Sequence, residues 1–209
     1  MKLVIATPSP FARKARVALL EKGIPFETLI DNPWNPGAQA PAHNPLGKIP
    51  VLIADDGRTV FDSKVIVEYI EATAPAPPLF PADPLARVRA KQVEALADGV
   101  CDAVVLIVLE RARAPERQSA DWIARQHAKI AAGVAEAERM LGADAFFVGA
   151  AFGLADIAAG CMTGYLDLRY PEFDWRASHP RLRALHERLM RRPSFAQTMP
   201  AAQAIDTVR

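Results

Sequence analysis

Residues 1–23 read MKLVIATPSPFARKARVALLEKG, and this stretch decides how the first part of the chain folds. A short apolar, β-branched run over 2–6 ends at the sequence TPSP, which is typical of a strand that meets a breaker. Apolar residues then recur at helical spacing, and Gly23 follows them as a glycine often follows a helix. We therefore predict a strand, a tight turn and a helix, with Ser9 as the N-cap and Pro10 in the first turn.

The next segments extend this pattern into a small mixed domain. Residues 25–30 predict a second strand, and residues 31–46 predict a loop with room for a short helix, because prolines and glycines interrupt them. Residues 49–63 predict a β-hairpin around an Asp-Asp-Gly turn. An apolar helical pattern follows, capped by Asp62 or Ser63. The predicted order is therefore β-α-β-loop-β-β-α.

The chain changes character at the proline-rich segment APAPPLFPADP, which predicts a linker between domains. Beyond the linker we find no convincing strand. Helical patterns cover residues 87–113, 119–141, 154–168 and 180–191, and the tail after Pro193 is predicted to be irregular. The predicted organisation is an α/β domain over 1–75, a linker over 76–84 and an all-α helical bundle over 85–209.

Composition and net charge argue against several classes of partner and site. The 209 residues carry a formal net charge of +1, which argues against a nucleic-acid or membrane partner recruited by bulk charge. The two cysteines, Cys101 and Cys161, lie far apart in apolar surroundings, as expected of buried thiols in a reducing compartment. We find no metal-ligand spacing, and no apolar run suits a signal peptide or a membrane span. We therefore predict a cytoplasmic protein without a metal.

The first candidate site is the helix start at Ser9. Free N–H groups and a partial positive charge there favour a thiolate, to which a hydroxyl can donate. Lowering a thiol pKa from about 8.5 to below neutrality takes roughly 2.7 kcal/mol. A charge-assisted hydrogen bond of roughly 1.5–3 kcal/mol and the helix dipole together supply this. Taken alone, such a serine is usually only a cap, so both interpretations stay open; Thr7 is a second hydroxyl, further from the helix.

Two further motifs suit an extended peptide with an amino-acid end. Pro50 heads an apolar strand; in the cis form it would leave the main chain of Ile49 as a pairing edge, although a trans proline is more common there. Asp62 and Ser63 offer a carboxylate, a hydroxyl and free N–H groups at a helix start, which suits an α-amino-acid head group. A plain helix cap is the alternative.

The order and spacing of these motifs resemble the glutathione transferase superfamily over nearly the whole chain. The matching pieces are SPFARKARVALLEKGIPFE, NPLGKIPVL, FDS, the proline-rich linker, the helical second half and GLADI. The chain is most similar to bacterial serine-type, zeta/theta-like members, since no tyrosine lies near the first strand. The resemblance implies a thioredoxin-like N-terminal domain followed by a C-terminal helical bundle.

The resemblance also implies roles for the three motifs. Ser9 falls where the serine classes place the hydroxyl that stabilises the glutathione thiolate. Ile49 precedes the implied cis proline, Pro50, and its backbone would pair with the cysteinyl main chain of glutathione. Asp62 and Ser63 fall on the acidic-Ser pair that holds the γ-glutamyl end. Glutathione is thus the implied co-substrate.

The resemblance to the superfamily also implies roles for several other residues. Lys48 is implied near the glycyl carboxylate, and Phe11 replaces the cysteine of beta-class enzymes, which excludes mixed-disulfide chemistry at that position. Phe11 is also implied among the glutathione-binding residues. The electrophile site of the superfamily lies between the domains, which makes five residues candidates for it: Phe11, Trp34, Asp98, Asp102 and Val105. Trp34 is slightly better explained as a loop anchor, and the two aspartates, one helical turn apart, are either cleft-lining or solvated.

One departure from the family concerns the buried helix. The usual Ser/Thr-x-x-Asp cap is here Gly153-Leu154-Ala155-Asp156, so Asp156 still reaches the Gly153 N–H but the reciprocal hydroxyl is missing. A glycine in place of serine at a cap costs only a few tenths of a kcal/mol. We therefore assign Asp156 a structural role.

Two functions remain after this reasoning. The first is an enzyme in which the glutathione thiolate attacks a small hydrophobic electrophile, by conjugation, dehalogenation, peroxide reduction or isomerisation. The alternative is a non-catalytic ligand-binding or regulatory relative similar to the RNA-polymerase-associated starvation proteins. Those proteins often lose the thiolate-stabilising residue, so the presence of Ser9 favours the enzyme. A homodimer is expected by resemblance.

Overall fold

The computed structural model describes residues 1–203, which form two compact units. The first unit takes in Met1–Leu79 and the described residues from Pro193 onward, and the second covers Phe80–Arg192. The sequence predicts that residues 85–209 all belong to the second domain, but the structure places the residues from Pro193 onward in the first unit. The contact partners of this C-terminal segment lie in the first unit, and partners so distant in the chain leave no local signal in the sequence. The other predicted boundaries stay predictions.

The first unit is built on a four-stranded mixed sheet. Its elements are β1 (Lys2–Ile5), α1 (Pro10–Glu21), β2 (Glu27–Ile30), α2 (Ala40–His43), β3 (Val51–Ile53), β4 (Thr59–Val60) and α3 (Ser63–Thr73). The strand order is β2-β1-β3-β4, with β1 parallel to β2 and antiparallel to β3. Gly23 has φ 64°, which suits its place after α1. The predicted order of strands and helices is confirmed.

The helical pattern of residues 10–22 predicts a solvent-exposed face formed by Arg13, Lys14, Arg16, Glu21 and Lys22, and three of these side chains depart from it. Arg13, Lys14 and Lys22 are buried, with exposed fractions of 2%, 1% and 8%. Buried charges need partners, and those of Arg13 and Lys22 come from distant parts of the chain. The periodicity of α1 is correct, but it cannot show such partners.

Lys22 links the end of α1 to the end of α3 and to the proline-rich segment that follows it. Its ammonium group donates to the carbonyls of Ala74 and Pro77 at 2.6 and 2.8 Å and pairs with the Glu71 carboxylate at 2.7 Å. The Glu71 carboxylate also accepts the N–H of Leu79. One buried cation thus fixes the end of α3 and the start of the chain that leaves the unit.

The second unit is entirely helical over its described residues. It contains α4 (Pro84–Arg111), a 3₁₀ turn (Pro115–Arg117), α5 (Ala120–Leu141), α6 (Leu154–Arg169), α7 (Trp175–Ser178) and α8 (Pro180–Met190). Helix α6 is buried continuously from Leu154 to Leu166, as its nearly uniform apolar composition predicts. The single turn α7 is too short for a periodic pattern, and the sequence misses it.

A last short helix, α9 (Pro193–Ala196), begins the C-terminal segment of the first unit. The sequence predicts an irregular tail here. Four residues span barely one turn, which is too short for helical periodicity to appear.

Asp156, in the first turn of α6, caps the start of the helix as the sequence predicts, and it also bonds to the preceding loop. Its carboxylate accepts the N–H of Gly153 and, with its other oxygen, the N–H of Phe147, each at 3.0 Å. The side chain is buried, and this burial raises the pKa of Asp156 from its ordinary 3.8 to about 6. Asp156 therefore ties the loop before α6 to the helix itself.

This raised pKa gives an expected pH dependence of stability. The contribution of Asp156 is fully present below about pH 4, where the unfolded group is protonated, and it is lost as the pH rises through about 6. The full change is about 3 kcal/mol. We expect the wild type to lose stability relative to Asp156→Asn between pH 4 and 7, measured by urea unfolding. A difference that stays constant with pH would contradict the assignment.

Candidate functional site

Ser9 caps α1, as predicted. Its Oγ accepts the N–H of Ala12 at 3.1 Å, and its own N–H donates to the carbonyl of Ala6 at 3.1 Å. Capping uses a lone pair of the hydroxyl, so the proton is left to donate elsewhere. Over residues 1–203, no group accepts that proton.

The cap and the thiolate interpretation of Ser9 are therefore compatible. An anion beside the first turn of the 12-residue helix α1 meets the positive end of the helix dipole. The Ser9 O–H adds a charge-assisted hydrogen bond at the same point. Thr7, the second hydroxyl candidate, has its proton committed to the carbonyl of Ala201 at 3.1 Å. Ser9 is thus the better donor of the two.

The peptide bond between Ile49 and Pro50 is cis. Within the part of the chain that the structure describes, neither the N–H nor the carbonyl of Ile49 has a hydrogen-bond partner, so its main chain is an open pairing edge. The preceding turn is held by Asn44, which donates to the carbonyl of Lys48 at 2.9 Å and accepts the N–H of Leu46. The sequence reasoning missed Asn44, although an Asn before a proline is a turn signal.

Asp62 and Ser63 lie at the start of α3. The Asp62 carboxylate accepts the N–H of Lys64 at 2.9 Å, so the predicted cap is confirmed. Ser63 is 2% exposed, yet among the described residues its hydroxyl has no hydrogen-bond partner. A hydroxyl that has no partner in the described chain, on a side chain that is otherwise buried, is suited to binding a ligand.

The strand register brings these three places to one edge of the sheet. Val4 pairs with Val51, so the chain that continues to Ser9 and the chain that arrives from Pro50 leave the sheet on the same side. Strand β4 is antiparallel to β3, so Asp62 follows it at that edge as well. The predicted residues are therefore clustered, although Ser9 and Ser63 are 54 residues apart in the sequence.

The remaining predicted residues of the first unit differ in their exposure to solvent. Phe11 is half-buried in the first turn of α1, and Lys48 is exposed. Trp34 is half-buried in the loop after β2, and its backbone N–H donates to the Asn32 side chain at 3.1 Å. Both roles of the Trp34 side chain, as a loop anchor and in electrophile binding, stay predictions.

The three predicted residues of the second unit lie on α4 with different exposure. Asp98 is buried, Asp102 is exposed and Val105 is half-buried. The solvated alternative is therefore wrong for Asp98, which the packing of α4 covers. Asp102 instead lines a surface cavity of about 400 Å³ between α4 and α5, together with Gln126. A substrate role for any of the three stays a prediction.

Residues 1–203 lack the features of a metal site and of a membrane-spanning helix. No group of three or more His, Cys, Asp or Glu residues is placed to hold a metal ion. No helix in this range combines the length and apolar character that crossing a membrane requires.

Known families match both units. The model for the N-terminal domain of glutathione S-transferase matches residues 8–73, and the model for the C-terminal domain matches residues 120–188. The chain belongs to the glutathione S-transferase superfamily. A thioredoxin-like N-terminal domain and a helical C-terminal domain are the fold of this superfamily, so the predicted fold class is confirmed.

Individual glutathione S-transferase relatives cover nearly the full chain. The GST-like protein YibF of Escherichia coli strain K12 is 43% identical over 96% of this chain and 98% of its own length. A glutathione S-transferase from Methylobacterium radiotolerans, solved in complex with glutathione sulfonate, has a TM-score of 0.96 and 51% identity, covering 98% of this chain and 96% of its own. One from Methylobacillus flagellatus, solved with GSH bound, has a TM-score of 0.92 and 42% identity, covering 96% and 99%.

Proposed function

We propose that this member of the superfamily binds glutathione and activates its thiol for attack on a small hydrophobic electrophile. The observation that carries the proposal is the Ser9 hydroxyl, whose lone pair caps α1 while its proton has no acceptor among residues 1–203. Placed beside the thiol sulfur, this O–H donates to the thiolate and lowers its pKa. The thiolate then attacks the electrophilic carbon, and the leaving group departs with the bonding electrons.

The proposed binding of glutathione is supported by two other motifs at the same sheet edge, Ile49-Pro50 and Asp62-Ser63. The open main chain of Ile49, ahead of cis Pro50, offers one N–H and one carbonyl to the cysteinyl residue of glutathione. The buried Ser63 hydroxyl and the α3 N-terminus offer donors to the γ-glutamyl carboxylate, and Asp62 offers a partner for its ammonium. Relatives solved with GSH or glutathione sulfonate support this choice of ligand.

Further parts of the proposal come from the resemblance and the residue chemistry. Lys48 is exposed beside the Ile49 edge and supplies a cation for the glycyl carboxylate. Phe11 offers no thiol, so the reaction leaves no protein-glutathione disulfide at that position. We include the serine-type assignment, a homodimer and a cytoplasmic location in the proposal.

Glutathione binding is the first test. We expect calorimetry to detect binding of glutathione to the wild type. Ser63→Ala removes a hydrogen bond to a charged group, worth about 1.5–3 kcal/mol, and should weaken binding roughly 10- to 150-fold. Thr73→Ala is the matched control, because it deletes a hydroxyl from the same helix that bonds only to the helix backbone. No heat at millimolar glutathione would refute the proposal.

A further inference from the structure

The C-terminal segment, residues 193–203, begins beside the end of α1. The Ser194 hydroxyl donates to the Glu21 carboxylate there. About two turns back along α1, the buried Arg13 guanidinium donates to the carbonyl of Phe195 at 3.2 Å and lies over its ring at 5.2 Å. The first half of the segment is therefore anchored to α1 by polar contacts and by a cation-π contact.

The same segment ends on the turn that precedes Ser9. The Thr7 N–H donates to the side-chain carbonyl of Gln203 at 3.0 Å, and the Thr7 hydroxyl donates to the carbonyl of Ala201 at 3.1 Å. The Ala201 N–H donates in return to the Thr7 carbonyl at 3.4 Å. Every polar group of Thr7 is thus held by the C-terminal segment.

Gln203 joins two loops through one side chain. While its carbonyl accepts the Thr7 N–H from the loop after β1, its amide N–H donates to the carbonyl of Asp31 in the loop after β2, at 3.5 Å. The Asp31 carboxylate is itself tied to the N–H of Ala40 at 2.8 Å. The Thr7 peptide is therefore braced against a second, independently held loop.

We propose that Gln203 is a positioning residue for the Ser9 hydroxyl: its amide fixes the Thr7 main chain and so sets the direction of the turn that presents the hydroxyl. Two other hydrogen bonds hold the main chain of this turn, one from the Ser9 N–H to the Ala6 carbonyl and one from the Ala201 N–H to the Thr7 carbonyl. Reactions of this kind are sensitive to placement, since misplacing a reacting group by about 1 Å can cost about 100-fold in rate. The inference rests on the proposed role of Ser9.

Gln203→Met tests the inference, because it keeps the side-chain length and removes both amide bonds. We expect the pKa of the bound glutathione thiol, followed by ultraviolet thiolate absorbance, to rise. Below the new midpoint, kcat with a chloro-nitro-aromatic electrophile should fall about tenfold, while the glutathione Kd stays within about twofold. Gln197→Met is the matched control, because it makes the same substitution in the same segment. The Gln197 side chain is exposed and has no hydrogen-bond partner among residues 1–203.

Thr7→Val is a second variant that removes the hydroxyl's bonds to the Ala201 carbonyl and, at 3.4 Å, to the Gln203 side chain. It keeps the bond from the Thr7 N–H to Gln203, so we expect the same changes at smaller size. A wild-type thiol pKa and kcat in Gln203→Met, alongside clear changes in Ser9→Ala, would overturn the role of Gln203 and leave the proposed function standing. Wild-type behaviour in Ser9→Ala as well would instead overturn the proposed function. Equal loss of glutathione affinity and rate in Gln203→Met would mark a merely structural role and would also overturn the inference.

Discussion

Replacing Ser9 with alanine is expected to raise the pKa of enzyme-bound glutathione by about one to two pH units, because the thiolate loses a hydrogen bond worth about 1.5–3 kcal/mol. At neutral pH, kcat/KM with a chloro-nitro-aromatic electrophile should fall about 10- to 100-fold. The pH-rate profile should move toward higher pH without losing its plateau. Stopped-flow absorbance of the bound thiolate and steady-state rates measure both effects.

Two controls separate the hydroxyl proton from the cap. Ser119→Ala removes an equivalent N-cap, whose Oγ accepts the N–H of Trp122 at 3.2 Å in the second unit. Ser9→Ala and Ser119→Ala should each lower the free energy of unfolding by about 1 kcal/mol, because each loses an N-cap. Ser119→Ala should leave the thiol pKa unchanged. Ser9→Thr keeps a hydroxyl and should restore most of the activity. If Ser9→Ala keeps wild-type rates and thiolate absorbance, Ser9 is only a cap and the non-catalytic alternative is favoured.

Replacing Lys22 with methionine is expected to destabilise the protein by about 3–5 kcal/mol, because Glu71 would keep a largely buried charge without its cation. The carbonyls of Ala74 and Pro77 would also lose their shared donor. A loss of this size is a large fraction of the 5–15 kcal/mol typical of a folded protein. Urea unfolding at pH 7 measures it.

An exposed ion pair provides the comparison for Lys22. Lys2→Met in the same unit breaks a 3.6 Å pair with Glu27 in which both side chains are more than half exposed, so it should cost less than about 1 kcal/mol. The double variant Lys22→Met/Glu71→Leu should lose less than the sum of its two single variants, because it leaves no uncompensated charge. Strict additivity would show that the two side chains do not interact.

The sequence predicts those parts of the fold whose signals are local. The cap at Ser9, the turn glycine Gly23 and the apolar helix α6 each follow from residues within a few positions of one another. The cluster at the sheet edge is also predictable, because the resemblance fixes Pro50 and Asp62 relative to Ser9. The structure adds the register that brings them together.

The parts that the sequence does not predict depend on partners far along the chain. Arg13 and Lys22 have the spacing of solvent-exposed residues, and their burial depends on carbonyl and carboxylate partners that lie far along the chain. Gln203 carries no motif, and its bonds to Thr7 and Asp31 span more than 170 residues. Periodicity contains no information about such contacts, so neither the buried cations nor the brace on Thr7 could be anticipated.

The C-terminal segment makes the first unit discontinuous, and this has a consequence for biosynthesis. The ribosome delivers Met1–Leu79 early, but the residues from Pro193 onward emerge only after the whole helical unit. Until then Arg13 lacks the Phe195 carbonyl and Thr7 lacks Gln203. A nascent chain therefore carries Ser9 on an unfinished turn, and the first unit is completed only after the second unit has been synthesised.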